Sequence, residues 1–157
     1  MESRRDFVRG TVAAFAALFV AGTIAPADLS ALPIQFTSGR SRGRALTYPI
    51  PPADGAVIDR DNEIILVRWQ AQLYAFALSC PHQRSMLKWR DKEQRFQCTK
   101  HKSKYQPDGA YVSGRATRGM DRHPLRIAGD SVEVDTSIKI EQDQDPTAWD
   151  AAVADLA

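Results

Sequence analysis

Cysteine and histidine are scarce in this 157-residue chain, which holds two of the first and three of the second. Two cysteines can form one bridge at most, which excludes the disulfide-dense scaffolds of small secreted domains. An excess of charge of one sign is also lacking. With 21 basic and 19 acidic residues the net charge is +2, so the overall charge gives no reason to expect a nucleic-acid partner. There is no uninterrupted stretch of the ~20 apolar residues that cross a bilayer as a helix; the longest candidate runs from Thr11 to about Ile24. No Ser-His-Asp order, phosphate-binding loop or flavin fingerprint is present, and no repeat or low-complexity tract. The remaining composition, 43% hydrophobic and 25% charged, suits one folded domain with additional segments.

The few cysteines and histidines are concentrated. Cys80-Pro81-His82 and Cys98-Thr99-Lys100-His101 contain both cysteines and two of the three histidines, with fifteen residues between His82 and Cys98. Each segment supplies one thiolate and one imidazole, spaced C-x-H and then C-x-x-H. Zinc fingers instead pair like with like, as C-x₂₋₄-C and H-x₃₋₅-H. The mixed pairing suits a [2Fe–2S] centre in which two cysteines hold one iron and two histidines the other. Zinc bound by the same four residues, in a non-redox binding module, is the alternative from a different functional class.

At these residues the chain resembles the Rieske iron–sulfur family. The resemblance continues through Ser103 and Tyr105, then Asp108-Gly109 and Gly114-Arg115-Ala116, and covers roughly residues 46 to 136. It implies an all-β fold, a Rieske-type antiparallel β-sandwich carrying the cluster on two loops. It also implies a Rieske-type [2Fe–2S] cofactor held by Cys80, His82, Cys98 and His101. In high-potential members the residues matching Ser103 and Tyr105 hydrogen-bond to a bridging sulfide and a ligand thiolate. Three features depart from that pattern. The positions of the inter-loop disulfide read Ser85 and Lys100, glycines beside the histidines are replaced by Arg84 and Lys102, and a Gly-Pro-Ala turn reads Gly114-Arg115-Ala116. These departures argue against a subunit of the cytochrome bc complex, though not against the cluster. The additional non-haem iron domain of a Rieske oxygenase large subunit is also missing from the sequence.

Ahead of the domain, Ser3-Arg4-Arg5-Asp6-Phe7-Val8 resembles a twin-arginine export signal, followed by the apolar run and by Ala25-Pro26-Ala27 as a cleavage site. Residues 1–27 are read as a signal peptide, with membrane anchoring by residues 11–27 as the alternative, and residues 28–45 as a linker. Within residues 46–136, Glu63–Trp69 and Gln72–Leu78 read as a hairpin that delivers the chain to Cys80. Arg95–Gln97 leads to Cys98, Pro107-Asp108-Gly109 is a turn, and Leu125–Ile127 with Val132–Val134 form a closing hairpin. In the tail, residues 137–157, Thr147 is expected to cap a short helix reaching Leu156, with Trp149, Val153 and Leu156 on one stripe. That helix is expected to pack on the sheet. His123 reads as a surface or turn residue, and Trp69 and Trp89 as core.

Together these features describe an exported one-electron carrier, or the small subunit of a periplasmic oxidoreductase, rather than an enzyme by itself. The small subunit of arsenite oxidase-like enzymes is an assembly of that kind. The partner is expected to be a redox protein, either a cytochrome or an oxidoreductase catalytic subunit. A cytoplasmic ferredoxin component of an oxygenase is the alternative within electron transfer, and it conflicts with the export signal. Two thiolates and two neutral imidazoles leave the site less negative than four thiolates, which favours the reduced cluster and a raised potential. Arg84, Lys88, Arg90, Lys100, Lys102, Lys104, Arg115, Arg118 and Arg122 fall in or near the cluster loops, while Asp130, Glu133, Asp135, Glu141, Asp143 and Asp145 come later. This order predicts a basic tip at which the partner docks, and an acidic opposite end.

Overall fold

The computed structural model describes residues 45–156. The export signal or anchor of residues 1–27 and most of the 28–45 linker lie outside the described residues. Among the described residues no helix is long and apolar enough to cross a membrane.

Among the described residues, eleven strands form three antiparallel sheets. The central sheet contains β2 (Gly55–Asp59), β3 (Ile64–Trp69) and β4 (Gln72–Ala77). The run Ile64-Ile65-Leu66-Val67 is buried throughout, as expected of a strand covered on both faces. Successive side chains of a strand point to opposite faces. Ile65, Val67, Tyr74 and Phe76 therefore enter one core, while Ile64, Leu66, Leu73 and Ala75 enter a second. Gln70 and Ala71, both at positive φ (50° and 62°), make the tight turn between β3 and β4. That turn suits the right-handed twist of a hairpin although neither residue is glycine.

The second core is closed by β1 (Ala45–Pro49), β9 (Leu125–Ala128) and β10 (Ser131–Asp135), with Tyr48, Val132 and Val134 facing inward. The β9–β10 hairpin forms as the sequence predicts, and β1 adds to its far edge. The first core is closed by the sheet that carries the site: β5 (Leu87–Arg90), β6 (Arg95–Cys98), β7 (Lys104–Tyr105) and β8 (Tyr111–Ser113). Leu87, Phe96, Cys98 and Tyr105 are buried there, and Trp69 and Trp89 pack against this core partly exposed. The all-β architecture of antiparallel sheets expected from the sequence is the one observed.

The tail departs from expectation in detail. The helix α1 spans Pro146–Ala151, and its cap is Asp145, which accepts a hydrogen bond from Ala148 N at 2.9 Å, not Thr147. Pro146 occupies the first turn, where a missing N–H costs nothing. The helix stops five residues before Leu156, because Ala154–Asp155 become strand β11 and pair with Leu73 and Gln72 at the free edge of β4. Trp149 is buried as predicted, whereas Val153 and Leu156 are divided between the two cores. Arg122 fixes the tail to the sheet. Its guanidinium lies 3.6 Å from the Trp149 ring centroid and donates to Trp149 O and Asp108 O at 2.6 and 2.7 Å.

Candidate metal centre

The edge of the first core opens into two loops. The first follows β4: Cys80 N donates to Ser85 O, and Arg84 N to Cys80 O, both at 2.8 Å. The second follows β6: Cys98 N donates to Ser103 O at 2.8 Å. Each loop thus begins at a cysteine and closes on the residue five positions later. In each, the residue four after the cysteine takes a left-handed backbone, Arg84 at φ 50° and Lys102 at φ 60°. That conformation is the one glycine adopts without strain, which explains why glycine is usual at these places in the family the sequence resembles.

A third segment completes the site. Gly114 (φ 115°) approaches so closely that an added Cβ would lie 2.4 Å from Ser103 Cα. Ser103 is fully buried, and its hydroxyl accepts from Arg115 N and Ala116 N, each at 3.1 Å. The two loops are also linked directly. Thr99 donates twice to Met86 O, from N at 3.0 Å and from Oγ1 at 2.9 Å. Thr99 and Met86 adjoin Lys100 and Ser85, where the disulfide is absent, so two hydrogen bonds join the loops at that place. No sequence signal marks Thr99 for this role, since a loop threonine beside a ligand has many ordinary uses.

The four expected ligands come together, in two pairs. Cys80 and Cys98 are buried free thiols, 1% and 0% exposed, and each lies within hydrogen-bond reach of the other. His82 and His101 are half-buried, with their Nδ1 atoms 3.2 Å apart and their rings near-perpendicular, centroids 4.8 Å apart. Tyr105, fully buried on β7, places its hydroxyl 3.1 Å from Cys80 Sγ.

The electrostatics of the two thiols diverge. Burial pushes the Cys80 thiol up, against the hydrogen bond from Tyr105. Burial opposes ionisation at Cys98 as well, but the backbone N–H groups of His101 and Lys100, the neighbouring Cys80 and the Lys102 N–H together outweigh it and hold that thiol below its usual value. Burial keeps the Tyr105 phenol protonated, and its contact with Cys80 adds to the effect, so it can donate to a thiolate. Desolvation lowers the His101 imidazole, with further contributions from His82, Lys100 and Arg115. A neutral ring is the form that binds metal.

This donor set fits a [2Fe–2S] cluster. Two thiols in contact provide for one iron, and two imidazoles presenting Nδ1 to a common point provide for the other. Among the described residues no three His, Cys, Asp or Glu side chains converge as a single zinc ion would require.

Not every sequence expectation holds around the site. His123 is buried, 6% exposed, with Nδ1 2.7 Å from Ile138 O, and it is part of the core rather than the surface. Arg122 is buried beneath the tail, and Arg118 is held by Asp121, Glu141 and Asp143, so neither contributes to a basic tip. The acidic residues do not all lie at an opposite end, because the Glu141 carboxyl, lowered chiefly by Lys139 and then by Arg118, also feels the charge of Arg84.

The sequence profile of the Rieske [2Fe–2S] domain family matches residues 50–126. The cytochrome b6-f complex iron–sulfur subunit of Chlorobaculum thiosulfatiphilum is 24% identical over 134 residues, covering 82% of this chain and 73% of that protein. Among solved structures, the cyanobacterial plasma membrane Rieske protein PetC3 from Synechocystis PCC 6803 aligns at a TM-score of 0.44 and 18% identity, covering 51% of this chain and 83% of that one. The ferredoxin of carbazole 1,9a-dioxygenase from Nocardioides aromaticivorans IC177 aligns at 0.42 and 16% identity, covering 60% and 98%.

Proposed function

We propose that the Rieske [2Fe–2S] domain of this chain, matched over residues 50–126, serves an exported one-electron carrier or the small subunit of a periplasmic oxidoreductase. The observation that carries the electron-transfer reading is the pairing of donors at one edge of the fold. Two thiols are sealed in the core, and two imidazoles half-exposed at the surface. When bound, the cluster supplies reversible one-electron storage.

The chain's own residues set the conditions for that chemistry. Cys80, His82, Cys98 and His101 would hold the cluster. Tyr105, its phenol kept protonated by burial, lies 3.1 Å from the Cys80 sulfur; with Cys80 as a thiolate it is the donor, and stabilising negative charge there favours the reduced state. Ser103 fixes the Gly114–Ala116 segment through two backbone N–H groups and seals that side from water. The buried cysteine side leaves the half-exposed imidazoles as the edge at which a partner can approach closely.

Export rests on Ser3-Arg4-Arg5-Asp6-Phe7-Val8 and the apolar run behind it. A chain that must fold around a cluster in the cytoplasm needs a route that carries folded cargo, and the twin-arginine route does so. A cytochrome or an oxidoreductase catalytic subunit is the class of partner that such a carrier serves. A purified sample should show reversible one-electron reduction with an iron–sulfur spectrum, and changing Arg4 and Arg5 to lysine should leave loaded protein in the cytoplasm. A colourless zinc protein would contradict electron transfer. Unchanged periplasmic delivery of the double-lysine variant would contradict twin-arginine export.

A further inference from the structure

Six basic residues of the described chain hold carboxylates, and Arg60, Lys88, Lys92 and Lys104, outside the four cations nearest the imidazoles, take part in no ion pair among the described residues. Arg68, Arg90, Arg95, Arg118, Arg126 and Lys139 each hold a carboxylate. Around the imidazoles the pattern is reversed. Arg84, Lys100, Lys102 and Arg115 are all exposed, and none takes part in an ion pair among the described residues. The segments that carry them, 80–86, 98–104 and 114–118, contain no aspartate or glutamate. Glu63 lines the cleft beside Arg84, and Glu141 is engaged by Lys139 and Arg118.

Two of these cations occupy matched left-handed positions, Arg84 at φ 50° and Lys102 at φ 60°. The chain accepts local backbone strain there and places a long cation beside each ligand histidine. Strain held at such a position is a reason to look for function. Next to Arg84, Met86 is 42% exposed and borders a cleft of about 560 Å³ that Glu63, Leu78, Ser79 and Lys139 also line. An exposed apolar residue beside a charged rim resembles the make-up of a protein-docking patch.

We infer that Arg84, Lys100, Lys102 and Arg115 form an unpaired cationic collar around His82 and His101 that docks a redox protein presenting carboxylates around its own electron entry point. Met86 and the adjoining cleft flank the collar on its Arg84 side. The inference rests on the electron-transfer reading and adds the sign of the partner's surface. Opposite charges steer encounter and raise the association rate, an effect that fades as salt shortens the Debye length from ~10 Å at 0.1 M to ~3 Å at 1 M.

The test uses the full cluster-loaded chain and two small oxidants of opposite charge, anionic hexacyanoferrate(III) and cationic tris(phenanthroline)cobalt(III). In each reaction one electron leaves the reduced protein and reduces one metal ion, Fe(III) to Fe(II) or Co(III) to Co(II). The second-order rate with the anion should fall with ionic strength and that with the cation should rise. The Arg84→Glu/Lys102→Glu variant should lose about tenfold with the anion at low salt and gain with the cation. Arg84→Gly/Lys102→Gly removes the same charges while relieving the backbone, so it should fold at least as stably and show a smaller shift in the same direction. Isothermal titration with redox-inert hexacyanocobaltate(III) should show weak binding to the wild type that both variants lose.

Equal salt dependence for the two oxidants, or variants that do not change it, would overturn the collar while leaving electron transfer intact. Reduction of neither oxidant would overturn the electron-transfer reading itself. Sedimentation of the wild type with phosphatidylglycerol vesicles, abolished in the glycine variant, would assign the collar to a membrane and overturn the docking proposal.

Discussion

The two cluster loops solve one problem with different means. Both start at a cysteine, close on the fifth residue and turn at a left-handed cation, Arg84 in one and Lys102 in the other. They differ in how the sulfur is treated. The second loop bends three of its own backbone N–H groups toward Cys98, which eases ionisation despite burial. The first loop sets its histidine one residue closer to the cysteine and leaves Cys80 with a raised thiol whose main support, Tyr105, comes from β7. Cys98 is therefore prepared mainly by its own loop, with help from Cys80, and Cys80 first by Tyr105 from β7 and then by the backbone N–H of His82. A loop that depends on a distant strand should be the more sensitive to changes elsewhere in the fold.

The largest way to break the comparison is to remove a donor. Alanine at Cys80, His82, Cys98 or His101 should abolish normal cluster assembly in either loop, read from visible absorption and iron content. A variant that kept the wild-type spectrum would remove that residue from the ligand set.

Next in size is Gly114→Ala. Its Cβ would meet the Ser103 backbone at 2.4 Å, at a φ of 115° that alanine seldom adopts. Overpacking and backbone strain together should cost about 2–4 kcal/mol, seen as a lowered denaturation midpoint. Because Ser103 closes the second loop, that loop should lose order before the first.

Tyr105→Phe sharpens the comparison without removing a ligand. A buried hydrogen bond to a charged group is worth about 1–3 kcal/mol, and ~1.4 kcal/mol corresponds to 59 mV for one electron. Voltammetry should show the potential falling by roughly 40–130 mV. Ser103→Ala should lower it over a similar range and also weaken the fold, because Arg115 N and Ala116 N lose their acceptor. Unmoved potentials in both variants would mean that neither hydroxyl tunes the cluster.

Smaller effects follow at the contact between the loops. Thr99→Val keeps the side-chain shape but removes one of the two bonds to Met86 O. It should cost about 1 kcal/mol and speed cluster loss on warming, while the potential stays near the wild-type value. The last effect concerns pH. Burial holds the His123 imidazole below its usual value, so the unfolded chain binds the proton more readily. Stability from this residue is full above about pH 6.5 and declines as pH falls from there toward the folded value. Melting temperatures between pH 7.5 and 5.5 should fall, and His123→Asn, which can still donate to Ile138 O, should flatten that slope.

Much of this arrangement was legible in the sequence, for definite reasons. The ligand spacings are local, so Cys80-Pro81-His82 and Cys98-Thr99-Lys100-His101 could be found without a fold. The β3–β4 and β9–β10 hairpins carry alternation and turn residues that act over a few positions. What was hidden depends on contacts far apart in the chain. Nothing near Arg122 or His123 says that they are buried, because the covering groups come from Trp149 and Ile138. The tail helix read too long because its stripe of Trp149, Val153 and Leu156 is also satisfied by a short helix followed by a strand pairing with Leu73. The basic tip was overcounted for the same reason, since Arg118 finds its carboxylates 3 to 25 residues away.

The central claim is that the paired cysteines and paired histidines hold one [2Fe–2S] cluster, with the imidazoles on the iron that faces the partner. Pulsed EPR of the reduced, ¹⁵N-histidine-labelled protein tests it most directly. The account predicts two imidazole nitrogen couplings in the wild type and the loss of normal cluster signal in His82→Ala and His101→Ala. A reduced cluster signal without histidine nitrogen coupling, or one retained in full by both variants, would contradict it.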